Sequence, residues 1–173
     1  MQIRLAETAG FCFGVERAVA LAEQTARTCK NAVTLGPIIH NRHVVERFER
    51  LGLHEISSAE EAEPGHTVVI RAHGIPVSEQ RMLSARGAAA VDATCPFVKK
   101  IHVIAQKAER DGRSLLIIGT PTHPEVAAIA SYSSDAHVFQ TAEALQAWLT
   151  ERPDRRDLPF CLVSQTTGTQ KLW

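Results

Sequence analysis

The chain has 173 residues, room for one ordinary domain or two small ones, and its 45% hydrophobic and 22% charged content is that of a soluble globular protein. Nineteen basic residues balance nineteen acidic ones, which argues against a nucleic-acid or membrane-surface protein, since such partners demand a basic excess. No apolar run approaches the roughly 20 residues that span a bilayer.

In chain order, Ile3 to Ala6 reads as a strand and Val15 to Thr28 as a helix with Ala, Leu and Val at helical spacing. Ala32 to Leu35 is a second strand, and Arg42 to Leu51 a helix stopped by Gly52. Thr67 to Ala72 is a strand, Val77 to Arg86 a helix ending at Gly87, and Ala89 to Asp92 a short strand. The rhythm then repeats. Phe97 to Arg110 is helical, Ser114 to Gly119 is a buried-strand pattern, Pro124 to Ser131 is helical, and His137 to Phe139 is a strand. Ala142 to Leu149 is a helix, Pro153 to Pro159 a polar loop and Phe160 to Ser164 a last buried strand. Strands alternating with helices predict an α/β fold with parallel sheets covered on both faces. The shared grammar of the two halves predicts two small units, 1–95 and 96–173. Thr169 to Trp173 reads as the first turn of a further helix, so a truncated chain is expected.

Open α/β sheets bind ligands beyond the carboxyl ends of their strands. The unusual residues fall in those turns: Cys12, His40, His73, Cys95, His123, Glu125, Thr166 and Thr167. Gly10 and Gly14 flank Phe11-Cys12-Phe13, so the backbone can bend tightly and approach a ligand closely. Pro96 and Pro124 follow Cys95 and His123, which predicts that both residues cap helices. The positive end of a helix favours thiolates and phosphates.

Blander readings apply to the rest. Cys29 and Cys161 read as small buried hydrophobes. His43, His54, His66, His102 and His137 read as exposed or capping residues, and Arg17, Arg71, Lys99 and Lys100 as solvated surface. Glu125, taken alone, is a first-turn acid complementing the helix dipole. Thr166 and Thr167 could be turn or cap residues. Cys12 and Cys95 are distant in sequence and neither lies in a CxxC pair, so a zinc knuckle is not expected. Iron–sulfur ligands can come from distant turns, but two thiolates are too few to hold a cluster well. A metal or redox site missing at least one ligand is the reading of the residues alone.

GFCFGVERA at 10–18, GPIIHN at 36–41, RAHGIP at 71–76, DATCPFV at 92–98, THPEV at 122–126 and SQTT at 164–167 together resemble the LytB/IspH family of 4-hydroxy-3-methylbut-2-enyl diphosphate reductases. Their order and spacing match as well, over nearly the whole chain. The resemblance implies a trefoil-like arrangement of three similar α/β units around a [4Fe–4S] cluster, of which this chain has two and lacks the third. It implies that Cys12 and Cys95 are cluster ligands, that His40, His73 and His123 line the pocket of an allylic diphosphate and hydrogen-bond to it, His123 nearer the hydroxyl, and that Glu125 is the proton source. Thr166 and Thr167 would join the hydrogen-bond network at the substrate. The implied reaction removes a hydroxyl as water and yields isopentenyl and dimethylallyl diphosphate, the last step of non-mevalonate isoprenoid synthesis. Ferredoxin or flavodoxin is the implied electron donor. The family's third cysteine and a diphosphate-gripping motif belong to the third unit, and Cys161 is a poor substitute. The 173-residue chain alone is therefore expected not to hold a stable cluster or turn over. The alternatives are a non-redox diphosphate-binding module and an inactive fragment. No signal or transit segment is visible near the N-terminus, so a cytoplasmic location is expected. There the four cysteines would be reduced thiols.

Overall fold

A computed structural model describes residues 3, 4, 6, 7, 9–39 and 41–168. The elements run α1 (Phe13–Thr28), β1 (Ala32–Leu35), α2 (Arg42–Arg50), β2 (His54–Ile56), β3 (Thr67–Ile70), α3 (Val77–Ala85), β4 (Ala89–Asp92), α4 (Pro96–Arg110), β5 (Ser114–Ile118), α5 (Pro124–Ala130), β6 (Ala136–Phe139), α6 (Ala142–Glu151) and β7 (Phe160–Ser164). Short 3₁₀ turns at Ala59–Glu61 and Pro153–Asp157 fill two connections.

The strands form two wholly parallel sheets, one in the order β2-β1-β3-β4 and one in the order β6-β5-β7. Strand alternation sends successive side chains to opposite faces. In β3, Val69 joins Ala18, Ala22, Val44 and Phe48 of α1 and α2, while Val68 and Ile70 join Leu83 of α3 and Ala59 on the other face. In β5, Leu115 and Ile117 pack with Ala105, Ala108, Val126 and Ile129 of α4 and α5, and Leu116 and Ile118 face Leu145 and Trp148 of α6. Both faces of both sheets are covered, which explains why the central strands read as continuous apolar runs.

Several expectations are corrected. Residues 3, 4 and 6 form no strand, and Ile3 is 79% exposed. A strand needs a neighbour to pair with, and residues 3, 4 and 6 pair with none among the described residues; Cys12 follows a coil. The sequence reading also passed over β2, because its three residues, His54-Glu55-Ile56, are mostly polar and sit at a sheet edge. The polar loop after α6 contains a 3₁₀ turn. The residues read as a terminal helix, 169–173, lie outside the described ones. Cys29, read as late in a helix, is the C-cap of α1, and both it and Cys161 pack against the apolar clusters as small hydrophobes do.

His102 is the clearest departure. It is 5% exposed rather than at the surface, because it shares the inner stripe of α4 with Val98, Ala105 and Ala108. Its ring lies against Tyr132, with centroids 4.8 Å apart. Burial lowers its pKa from 6.5 to about 4; Asp92 acts in the opposite sense and Lys99 adds to the lowering. The folded state thus resists a proton that the unfolded state accepts, and stability should fall as the pH drops from 6.5 towards 4. The expected loss from this residue is about 2 kcal/mol, after allowing for partial solvent screening. Urea unfolding at a series of pH values should show this slope, and His102→Phe should flatten it.

Candidate functional site

The two topological switch points carry the chemistry. In the first sheet, the connections from β1 and β3 leave in opposite directions, to β2 and to β4. The turns beyond these neighbouring strands are 36–41 and 71–76. In the second sheet, β5 and β7 are neighbours, and their turns carry His123 with Glu125 and Gln165 with Thr166. Residues 41 positions apart in sequence meet there.

Cys12 and Cys95 are the N-caps of α1 and α4, and His123 is the N-cap of α5; Pro96 and Pro124 occupy the first helical turn. Neither cysteine makes a side-chain cap bond. Gly14, in the first turn of α1, lets the two N-termini come together. A Cβ on Gly14 would stand 2.5 Å from Cys95 Sγ. Cys12, Gly14, Cys95, Phe97, Thr166 and Thr167 line a cavity of about 640 Å³. Phe11, Phe13 and Phe97 leave large apolar areas exposed beside it.

Glu125 is 1% exposed, unlike an ordinary first-turn acid. Its Oε1 accepts from Thr166 N at 2.5 Å and its Oε2 from Thr166 Oγ1 at 2.8 Å. The buried carboxylate therefore reaches the cavity through Thr166. His123 Nδ1 accepts from Glu125 N at 3.2 Å. That bond requires an unprotonated Nδ1, so in the neutral ring Nε2 carries the hydrogen and can donate. His73 lies edge-on to His123, with ring centroids 5.3 Å apart. Thus Cys12 and Cys95 share a cavity with Thr166 and Thr167, Thr166 joins it to Glu125, and His123 joins Glu125 to His73. His40 lies outside the described residues.

Sequence reasoning missed Gln165 and the role of Arg71. Gln165 accepts from Thr120 N at 3.1 Å and donates to Thr167 Oγ1 at 2.7 Å, tying the two switch-point turns together. Its place inside the SQTT run was the available signal. Arg71 is not solvated surface: its guanidinium packs over Gly36, and its Nε donates to the Gly74 carbonyl at 3.4 Å. Burial lowers its pKa, against the raising effect of Glu79 and Glu55. Arg17 reaches the carbonyls of Thr94 and Asp92. Lys99 pairs with Asp92, and Lys100 lies over the Phe97 ring at 5.6 Å.

Among the described residues, no three His, Cys, Asp or Glu groups cluster as a complete metal site. The close approach at Gly14 and the thiols at two helix N-caps fit part of a thiolate donor set. No helix among the described residues is long and apolar enough to cross a membrane.

Parallel sheets whose strand-end turns and helix N-termini bring two thiols and two threonines to one cavity, with Glu125 bonded to one of those threonines, define an α/β protein with a composite candidate site. The chain belongs to the LytB protein family, whose sequence pattern matches residues 3–173. It is 42% identical over 182 residues to the 4-hydroxy-3-methylbut-2-enyl diphosphate reductase of Solidesulfovibrio magneticus, covering 99% of this chain and 61% of that relative. A solved structure of (E)-4-hydroxy-3-methyl-but-2-enyl diphosphate reductase, the terminal enzyme of the non-mevalonate pathway, matches with a TM-score of 0.80 at 38% identity, covering 98% of this chain and 59% of that one. The reductase structure from Plasmodium falciparum matches with a TM-score of 0.79 at 26% identity, covering 96% and 52%. The chain thus spans 52–61% of the length of these relatives.

Proposed function

We propose that this chain supplies two α/β units, 1–95 and 96–173, of a three-unit reductase that converts 4-hydroxy-3-methylbut-2-enyl diphosphate to isopentenyl and dimethylallyl diphosphate. The reading rests on family membership and on one observation above the others. A carboxylate buried to 1% exposure is held by Thr166 at the edge of a cavity that also takes the two helix-capping thiols. Burying a carboxyl group is costly, and this one has no ion pair among the described residues, which supports a chemical role for it.

Cys12 and Cys95 would hold two irons of a [4Fe–4S] cluster, the remaining thiolate coming from the third unit. When bound, the cluster supplies electrons and a Lewis-acidic iron for the substrate oxygen. The overall change consumes two electrons and two protons, breaks the allylic C–O bond and releases water. Glu125 is the local proton donor, oriented by Thr166. His123, donating from Nε2, and His73, with His40, would hydrogen-bond the diphosphate and offset its charge without a basic patch, in keeping with the zero net charge. Thr167, fixed by Gln165, lines the same space. The electrons would come from a one-electron carrier such as ferredoxin or flavodoxin.

The test is anaerobic iron and sulfide reconstitution followed by a reductase assay. It is run on the 173-residue chain and on a hybrid in which residues 1–173 replace the matching part of the Solidesulfovibrio magneticus relative. The hybrid should bind close to four irons and turn over, and the shorter chain should do neither. An iron-loaded but inactive hybrid would count against these residues as a reductase site.

A further inference from the structure

We propose that Arg17 is a positioning residue for the thiol pair: it holds the peptides in front of Cys95 against α1, the helix that Cys12 caps, and so sets one thiol relative to the other. The consequence for a cluster rests on the reading given above, and the geometry stands without it.

The segment that carries Cys95 lies between regular elements. β4 ends at Asp92 and α4 starts at Pro96. Ala93 N donates to the Ile70 carbonyl at 3.1 Å and Cys95 N to the Ala72 carbonyl at 2.9 Å, so one edge of this run stays paired beyond the end of β4. In a parallel sheet alternate residues turn their backbone groups to opposite neighbours. The groups of Asp92 and Thr94 therefore face the other way. β4 is the edge strand of its sheet, and among the described residues no strand lies on that side. Thr94 is only 5% exposed, and buried backbone groups require partners.

Side chains supply those partners. Asp92 Oδ1 accepts from Thr94 N at 2.9 Å. Both outward carbonyls go to one side chain: Arg17 donates from Nη1 to Thr94 O at 3.2 Å and from Nη2 to Asp92 O at 3.4 Å. The guanidinium thus stands where a neighbouring strand would. Its planar fork serves two acceptors at once, where an ammonium is a single point donor.

Arg17 belongs to α1, and that gives the contact its consequence. Gly14 lies three residues earlier, on the same side of the helix, and a Cβ there would stand 2.5 Å from Cys95 Sγ. α1 therefore meets the Cys95 segment twice, with bare backbone against the sulfur and with a forked donor on the peptides before it. Apolar packing of Ala18 and Ala22 with Val69 and Ala93 seats α1 on the sheet. That packing is non-directional and leaves the outward carbonyls of Asp92 and Thr94 unpaired. Cys12 begins α1 and Cys95 begins α4, so a shift of residues 92–95 along α1 changes the separation of the two thiols directly.

The test reads the spacing of the thiols without metal. Dibromobimane fluoresces only after both of its arms have alkylated thiols, and peptide mass mapping assigns the bridge. In the iron-free 173-residue chain it should bridge Cys12 and Cys95. Arg17→Gln should lower the yield of that bridge about tenfold through misplacement alone. Arg17→Lys keeps the charge and one donor but loses the fork, so its yield should lie between the two, and it decides the matter if Arg17→Gln does not fold. Glu23→Gln removes the ion pair to Arg47 farther along the same helix and should leave the yield unchanged, which separates positioning from a general loosening of α1. An unchanged yield in folded Arg17→Gln, a wild-type yield in Arg17→Lys, an equal loss in Glu23→Gln, or no such bridge in the wild-type chain overturns the proposal. Iron per chain in the reconstituted hybrid should follow the same order. If the unsubstituted hybrid takes up no iron while the bridge responds as described, the positioning role stands and the cluster reading is lost.

Discussion

Glu125→Gln should keep the fold and the affinity for substrate while lowering turnover by about a hundredfold or more, the range expected when a positioned proton donor is removed. The geometry makes the substitution unusually clean. Glu125 Oε1 takes the Thr166 backbone N–H and Oε2 takes the Thr166 hydroxyl. A glutamine keeps one carbonyl oxygen for the backbone donor, and its amide nitrogen can donate to the hydroxyl, which rotates to accept. Volume and hydrogen-bond number are conserved, and only the titratable proton disappears. If Glu125 were merely a first-turn acid facing the dipole of α5, the exchange would cost about 0.3–1 kcal/mol of stability and leave turnover untouched. Steady-state kinetics and thermal unfolding on the hybrid chain separate the two. A kcat within a few-fold of the unsubstituted hybrid would move the proton donor elsewhere.

The sequence carried most of the fold because its central strands are buried on both faces. Ala32–Leu35, buried throughout, is bounded as its apolar character indicates, and the edge strands Ala89–Asp92 and Phe160–Ser164 keep the bounds read from the sequence although they are only partly buried. The caps were legible for a local reason, since proline after Cys95 and His123 has its preferred place at the first helical turn. What failed was non-local or marginal. Ile3 to Ala6 has strand composition, but its described residues 3, 4 and 6 pair with no described strand, and β2 has a neighbour but hardly any strand composition. His102 was recoverable, since Val98, His102 and Ala105 share one helical stripe, but the usual surface habit of histidine outweighed the spacing. The Glu125–Thr166 pair could not be read from spacing, because it exists only where β5 and β7 are brought side by side. That placement follows from the order of strands in the sheet, which residue patterns do not encode. The sequence motifs marked both residues as part of a site, and the fold supplies the contact.

Gly14→Ala should damage the metal site far more than it damages the protein, which inverts the usual order for a helix substitution. Gly14 sits in the first turn of α1, where alanine is favoured over glycine by about 1 kcal/mol. Propensity alone therefore predicts a more stable chain. The added methyl would meet Cys95 Sγ at 2.5 Å and Cys95 Cβ at 3.2 Å. Non-bonded carbon and sulfur need roughly 3.5–4 Å, so the sulfur must retreat by about 1 Å. Turning the side chain of Cys95 does not relieve the contact to its Cβ, so the N-termini of α1 and α4 must also part. Metal sites tolerate ligand displacements of only about 0.2 Å, so the same shift that a helix interface absorbs is severe for a thiolate donor. Iron per chain in the reconstituted hybrid should fall to the level of Cys95→Ser, while the iron-free forms of Gly14→Ala and the unsubstituted hybrid should unfold within about 1–2 kcal/mol of each other, the propensity gain offsetting part of the clash. Full iron loading in Gly14→Ala would show that Cys95 reaches its ligand from another direction. Full loading in Cys95→Ser as well would remove it from the donor set.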